Sequence, residues 1–381
     1  MSALYVVTGA SGFIASHVVR ELLQAGHRVR GTVRSLKRSE SYAHLRALPG
    51  AERLELVEAD LLDPAGWSAV VEGAEVVLHT ASPYVLDAKD PQKDLVEPAV
   101  KGTENVLQAC ATSPSVRRVV VTSSMAAVTD EPESDRVLTE ADWNEKSSLT
   151  RNPYYYSKTL AERAAWDFVK ALSEQTEGRA TRGPVSSPSG ERTDEAVTKP
   201  GFDLVVINPF LVIGPSLSPG VNTSNQVFVD LLGGTYPGIM RFTWGFVDVR
   251  DVAIAHRLAA TTPEASGRYL CAADTMPMRE VVELLRGAGY EGYALPKLGM
   301  DCAVGDQVVK LSSYFQPKGV GSYLRSHVGR VPRYDNTKIQ RELGLRFRDV
   351  KQTILDTVAD LDRLGHLPAR KGAATAARVG G

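Results

Sequence analysis

Residues 4–34 run strand, glycine turn, helix, strand without a break, and few architectures accept that order. LYVVT at 4–8 is a short apolar, β-branched run of the kind that forms a buried strand. Gly9-Ala-Ser-Gly12-Phe-Ile-Ala15 follows at once, then the helical run SHVVRELLQAG, which stops at Gly26, then HRVRGTVR. A βαβ unit with this turn is the mark of a sheet that binds a dinucleotide. Gly9 suits a turn of unusual φ, Gly12 lets backbone approach a pyrophosphate, and Ala15 lets helix and strand pack closely. The helix start offers open N–H groups and partial positive charge to phosphate. Gly9, Ser11, Gly12, Phe13 and Ile14 are therefore candidate cofactor contacts.

The second strand ends without the acid that would grip the ribose 2′-hydroxyl of NAD(H). It runs instead into Arg34-Ser-Leu-Lys37-Arg38, and Glu40 lies too far along to replace the acid. Three cations at that position suit a 2′-phosphate, which arginine binds bidentately. The expected cofactor is NADPH/NADP+, with Arg34 and Lys37 as its selectivity residues.

Strand and helix patterns then alternate. ERLELVEAD ends at Asp60-Leu61, which is expected to border the adenine. EVVLHTAS ends at Thr80-Ala81-Ser82, small enough for a dinucleotide to lie close. A helix around 98–110 precedes RRVVVTSS, ending at Ser123-Ser124. Ligands in open α/β sheets bind beyond such strand ends. Tyr154-Tyr-Tyr-Ser-Lys158 opens an amphipathic helix, where Tyr154 and Lys158 stand i and i+4 on one face. An ammonium beside a phenol favours phenolate and makes the pair a proton donor near neutral pH.

Residues 176–199 are rich in Gly, Ser, Pro and charge, and read as a surface insertion. The expected fold is α/β: a Rossmann-type doubly wound parallel sheet over 1–175, with a strand returning to it at 200–215. Residues 216–368, irregular at 291–334, would mainly form a smaller C-terminal α/β lobe that shapes the substrate pocket, and 369–381 would be a disordered tail. Tyr84, Met125, Phe210 and Phe228, with Pro83 and Val85, are pocket candidates. They are mostly apolar, which suits an uncharged, moderately hydrophobic carbonyl compound.

The chain has 381 residues, 43% of them hydrophobic, and a net charge of −1. That balance argues against nucleic acid or an anionic membrane as a partner. Cys110, Cys271 and Cys302 have neither metal-ligand nor disulfide spacing, so no metal is expected. No apolar run of membrane length and no signal segment is present. A cytoplasmic monomer or homodimer acting on a small molecule is the expectation.

Thr8-Gly9-Ala10-Ser11-Gly12-Phe13-Ile14-Ala15, Thr122-Ser123-Ser124 and Tyr154-x-x-x-Lys158, in this order, resemble an extended short-chain dehydrogenase/reductase. Gly31-Thr-Val-Arg34-Ser35, Asn208-Pro209 with Gly214-Pro215, and Val247-Asp-Val-Arg-Asp251 resemble its branch of dihydroflavonol reductases, cinnamoyl-CoA reductases and microbial NADPH-dependent aldehyde and ketone reductases. The resemblance implies Tyr154 as general acid, Lys158 as its partner and ribose ligand, Ser124 as hydrogen-bond donor to the substrate carbonyl, and Pro209 beside the nicotinamide. It also raises Asn105 for a proton relay. Epimerases and sugar-nucleotide dehydratases share the scaffold and the Tyr/Lys pair. The missing acid after strand two and the Met125-Ala126 pair after Ser124 count against them. A steroid-type dehydrogenase working oxidatively stays open, and a non-catalytic NADP(H) sensor would ordinarily lack Tyr154 or Lys158.

Overall fold

The computed structural model describes residues 3–82, 88–180 and 201–370, leaving aside the side chains of 175–180. Expectations for Pro83, Tyr84 and Val85, for 181–199 and for the tail beyond 370 lie outside these residues.

Seven parallel strands form the central sheet: β1 Leu4–Val7, β2 Arg28–Val33, β3 Leu54–Glu58, β4 Val76–His79, β5 Arg118–Thr122, β6 Asp203–Pro209 and β7 Gly267–Cys271. Their spatial order is β7-β6-β5-β4-β1-β2-β3, so the winding reverses between β1 and β4. Strand residues alternate between two cores. Tyr5 and Val7 join the core formed with helix α1 (Phe13–Gln24), and Leu4 and Val6 join the core on the opposite face. Helices α2 (Glu97–Thr112) and α3 (Pro153–Ala180) cover that second face through Val106, Leu107 and Ala165. Burial on both faces is why these strands read as continuous apolar runs.

Parts of the chain's organisation differ from expectation: helix α3 runs to Ala180, so 176–180 belong to it and not to the insertion. Helix α4 (Val249–Thr261) packs on α1 in the first core, and β7 pairs with β6 in the main sheet. Within 216–368, then, 249–271 returns to the main sheet. The 291–334 stretch contains the helices Ala303–Ser312 and α5 (Lys318–His327).

The smaller lobe is built on a three-stranded sheet of Leu211–Ile213, Thr243–Asp248 and Asp274–Pro277. Its core joins Trp244, Phe246, Met276 and Val281 to Ile354 of helix α6 (Val350–Arg363). Phe228 belongs to this core: it is fully buried and stacked on Phe246 at 6.3 Å. The apolar face of its own helix, Thr223–Gly233, turns it inward, so it is a packing residue and not a pocket wall. The Val247–Asp251 motif is a clamp. Asp248 accepts from Arg250 N (2.7 Å) and from Thr353 Oγ1 of α6 (2.9 Å). Arg250 also reaches Asp356 at 2.7 Å, and Asp251 holds Arg348.

Candidate active site

The glycine turn sits at the carboxyl end of β1, where the winding reverses. Gly9 has φ +64°, and a Cβ there would stand 3.0 Å from the Cβ of Ala81. Its N–H is held by Thr32 Oγ1 at 2.9 Å. Gly12 caps α1 without a side chain, and the helix has no acid in its first turn. The start of α1 at Phe13 and Ile14, with Ser11 before it, is thus left open to an anion. These features fit a dinucleotide: the backbone is bare where a diphosphate must approach, and any side chain at Gly9 would fill the cradle.

A buried polar bracket ties β1 to β4. Thr8 Oγ1 accepts from Thr80 N (3.0 Å) and Ala81 N (2.9 Å), and Thr80 Oγ1 donates to Thr8 O. Thr103 Oγ1 donates to Ala99 O, so it accepts from His79 Nε2, leaving Nδ1 to accept from Thr8. Burial, aided by the charge of Lys158, pushes His79 down to about 3, and the ring is neutral. Ser82, half-buried, follows this bracket.

Arg34, Lys37 and Arg38 follow β2 and are exposed. Among the described residues none of the three has an ion-pair partner. Their loop is pinned instead through its backbone, Leu36 N donating to Glu58 Oε2 (2.9 Å) and Leu36 O accepting from Tyr42 (2.6 Å). Asp60 spends one carboxylate oxygen on Leu62 N at 2.9 Å, and its carbonyl takes Trp67 Nε1 at 3.0 Å. Asn105 donates to Leu61 O at 2.8 Å. That amide therefore holds the 60–62 turn.

Three adjacent hydroxyls at the end of β5 go three ways. Thr122 Oγ1 donates to Nε2 of His256, whose Nδ1 is taken by Val252 O. Ser123 Oγ donates to Glu162 Oε2 at 2.5 Å. Ser124 Oγ accepts from Ala126 N at 3.1 Å, and among the described residues its own hydrogen has no acceptor. Ser124 is the one of the three whose donor is uncommitted. The turn that follows, Met125–Ala127, packs against α3, with Thr159 Oγ1 3.5 Å from Ala126 O.

Helix α3 starts at Pro153, so Tyr154 and Lys158 do share a face, with Lys158 Nζ 6.0 Å from the Tyr154 ring centre. Burial pulls the Lys158 ammonium down to about 8, against the opposing charge of Glu162. Tyr155 turns toward α5, its ring 5.6 Å from His327 and 6.2 Å from Tyr323. The helix is seated by Asn152, whose φ of 47° suits asparagine. Its N–H donates to Ser322 Oγ (3.1 Å), and its amide donates to Ser326 Oγ (2.9 Å) and to Asp130.

Pro209 ends β6 beside this group, and Asn208 Nδ2 donates to Ser124 O at 3.2 Å. Met125 and Phe210 meet in a small apolar cluster with Leu270 and Tyr334. The ring of Phe210 lies where a Cβ of Gly245 would be, 2.4 Å away. Glu162, Asn152 and the Thr8–His79 pair were missed by sequence reasoning. For Glu162 a signal existed: it lies one helical turn beyond Lys158, on the face that must be buried.

The model of the NAD dependent epimerase/dehydratase family matches residues 5–272. Cinnamoyl-CoA reductase 1 of Petunia hybrida is 39% identical over 367 residues, covering 95% of this chain and 93% of the relative. Tetraketide alpha-pyrone reductase 1 of Arabidopsis thaliana is 34% identical over 370 residues, 95% of this chain and 96% of the relative. Among solved structures, yeast methylglyoxal/isovaleraldehyde reductase Gre2 complexed with NADPH superposes with a TM-score of 0.72 at 28% identity. That match covers 96% of this chain and 100% of the other. No helix among the described residues is long and apolar enough to cross a membrane.

Proposed function

The chain belongs to the NAD dependent epimerase/dehydratase family, and within it we propose that it reduces an aldehyde or ketone carbonyl to the alcohol with NADPH. The observation that carries this reading is the uncommitted Ser124 donor on a turn docked against the helix of Tyr154 and Lys158. The open start of α1, the Gly9 turn and the Arg34/Lys37/Arg38 loop are the residues that would hold the cofactor. Asp60, Leu61, Thr80, Ala81, Ser82 and Pro209 would line it. Bound there, NADPH supplies the hydride that adds to the carbonyl carbon. Ser124 and Tyr154 donate hydrogen bonds to the carbonyl oxygen, and they strengthen as negative charge grows on it. Tyr154 then gives up its proton, and the Lys158 ammonium stabilises the phenolate left behind.

The apolar cluster of Met125, Phe210 and Tyr334 supports an uncharged, moderately hydrophobic substrate. The three free cysteines support a cytoplasmic setting. An epimerase reading would favour an acid after β2 to hold the NAD(H) ribose, and Arg34 occupies that position. The test is consumption of NADPH and of NADH across aldehydes, ketoesters, flavanonols and acyl-CoAs. Faster consumption of NADPH with at least one carbonyl is expected. Inactivity on every carbonyl would return the epimerase and sensor readings.

A further inference from the structure

Behind the proton-donating group lies a carboxylate that the mechanism above does not use. Glu162 sits four residues after Lys158 on α3, and its side chain is fully buried. Its Oε2 accepts from Ser123 Oγ (2.5 Å) and Asn208 Nδ2 (2.7 Å). Its Oε1 accepts from Arg268 Nε (2.6 Å) and Trp166 Nε1 (3.3 Å). The donors come from the carboxyl ends of β5 and β6, from the start of β7 and from its own helix. Ser123 precedes Ser124, and Asn208 precedes Pro209 and also holds Ser124 O. Arg268, on β7, is pinned in turn by Glu140 O (3.0 Å) and Asp142 O (2.5 Å) and lies 4.0 Å from the Trp143 ring centre.

We propose that Glu162 is the positioning residue of the proton-donating group. One carboxylate fixes the strand ends bearing Ser124 and Pro209 against the helix bearing Tyr154 and Lys158, and supplies the negative charge that faces Lys158. The assignment rests on the reductase reading. A buried ion pair adds little stability over apolar residues of the same volume, so the Glu162–Arg268 pair is poorly explained as a staple alone. Its placement explains it better. Among the described residues, the titratable groups around Lys158 are Tyr154 and Glu162 on its own helix and His79 at the end of β4, with Arg268 beyond Glu162. His79 is neutral, so Glu162 is the anion among them. Without that charge, burial acts on the Lys158 ammonium unopposed and it loses its proton at lower pH.

The experiment compares the wild type with Glu162→Gln and with the neutral pair Glu162→Gln/Arg268→Met, which removes the stranded Arg268 charge and guards against misfolding. Two quantities are read. The first is the pH midpoint of Lys158 labelling by trace acetic anhydride, followed by mass spectrometry. The second is the alkaline limb of kcat for NADPH-dependent carbonyl reduction. In both variants the labelling midpoint and the alkaline limb should move to lower pH by about one unit, the scale of one nearby opposite charge. KM for the carbonyl should change far less than kcat. Unmoved midpoints in a folded neutral-pair variant would overturn the proposal and leave Glu162 a packing residue. Labelling needs no substrate, so a chain inert toward every carbonyl would sink the reductase reading while the midpoint still decides Glu162.

Discussion

Thr8 donates its hydroxyl hydrogen to Nδ1 of His79 at 3.0 Å, across the crevice between β1 and β4 where the winding of the sheet reverses. The same oxygen accepts from two backbone N–H groups, so one threonine satisfies three buried partners. Thr8→Val keeps the shape and deletes all three bonds. Leaving buried polar groups unpaired costs about 1–3 kcal/mol. A melting temperature several degrees below wild type is expected, with weaker NADPH binding because Ala81 is no longer held against Gly9. Thr8→Ser should restore both. A Thr8→Val protein as stable as wild type would show that the bracket is not needed.

Gly9 and Gly26 both have positive φ, +64° and +83°, yet their surroundings differ. A Cβ at Gly9 meets the Cβ of Ala81 at 3.0 Å, whereas at Gly26 nothing lies within 4 Å. Gly26→Ala should cost only the backbone preference, about 1–2 kcal/mol of stability, with NADPH affinity unchanged. Gly9→Ala carries that penalty and also fills the cradle. Fluorescence titration should find NADPH binding weakened in that variant alone.

The chain showed in advance what depends on near neighbours. The glycine turn, the strand ends at Ser82 and Ser124, and the Tyr154/Lys158 pair are each set by residues only a few positions apart. Long-range partners were hidden. Glu162 is bound by Ser123, 39 residues away, and by Arg268, 106 residues away, and no local pattern links them. Phe228 failed for a related reason. A phenylalanine on an amphipathic helix faces either a pocket or a core, and only the position of Phe246 settles which. The return of 249–271 to the sheet likewise depends on α4 meeting α1, more than 200 residues before it in the chain.

Cofactor selectivity should reside in the loop after β2. Arg34 and Lys37 have no ion-pair partner among the described residues, so removing either leaves no protein charge stranded. Arg34→Ala should weaken NADPH about ten- to hundredfold, the size of one charge-assisted hydrogen bond, and leave NADH nearly unchanged. Dissociation constants for both cofactors measure this. Equal losses for the two would mean that Arg34 does not meet the 2′-phosphate.

The adjacent phenols should separate sharply. Tyr154 faces Lys158, and Tyr155 packs against Tyr323 and His327. Tyr154→Phe should lower kcat at least about a hundredfold, the usual scale for a lost general acid, with KM little altered. Tyr155→Phe removes the 3.5 Å contact to His327 Nε2 and should stay within a few fold of wild type. The reverse pattern would sink the assignment of Tyr154.

Four buried histidines should make the fold sensitive to acid. Burial lowers His17 and His79 to about 3 and His256 and His327 to about 4. An unfolded histidine titrates near 6.5, so between about pH 6.5 and pH 4 the unfolded chain takes up protons that the native chain refuses. Stability therefore falls as pH drops through that window. Each group contributes roughly 2 kcal/mol of this loss at pH 5, taking about 1.4 kcal/mol per pH unit below 6.5. The loss is fully developed only below the native values. Denaturant melts at pH 7.5 and pH 5 should differ by several kcal/mol. Replacing one of the four, as in His327→Phe within its ring cluster of Tyr155, Tyr323 and Phe242, should flatten the dependence. A midpoint that is the same at both pH values would mean that these rings open to water before the chain unfolds.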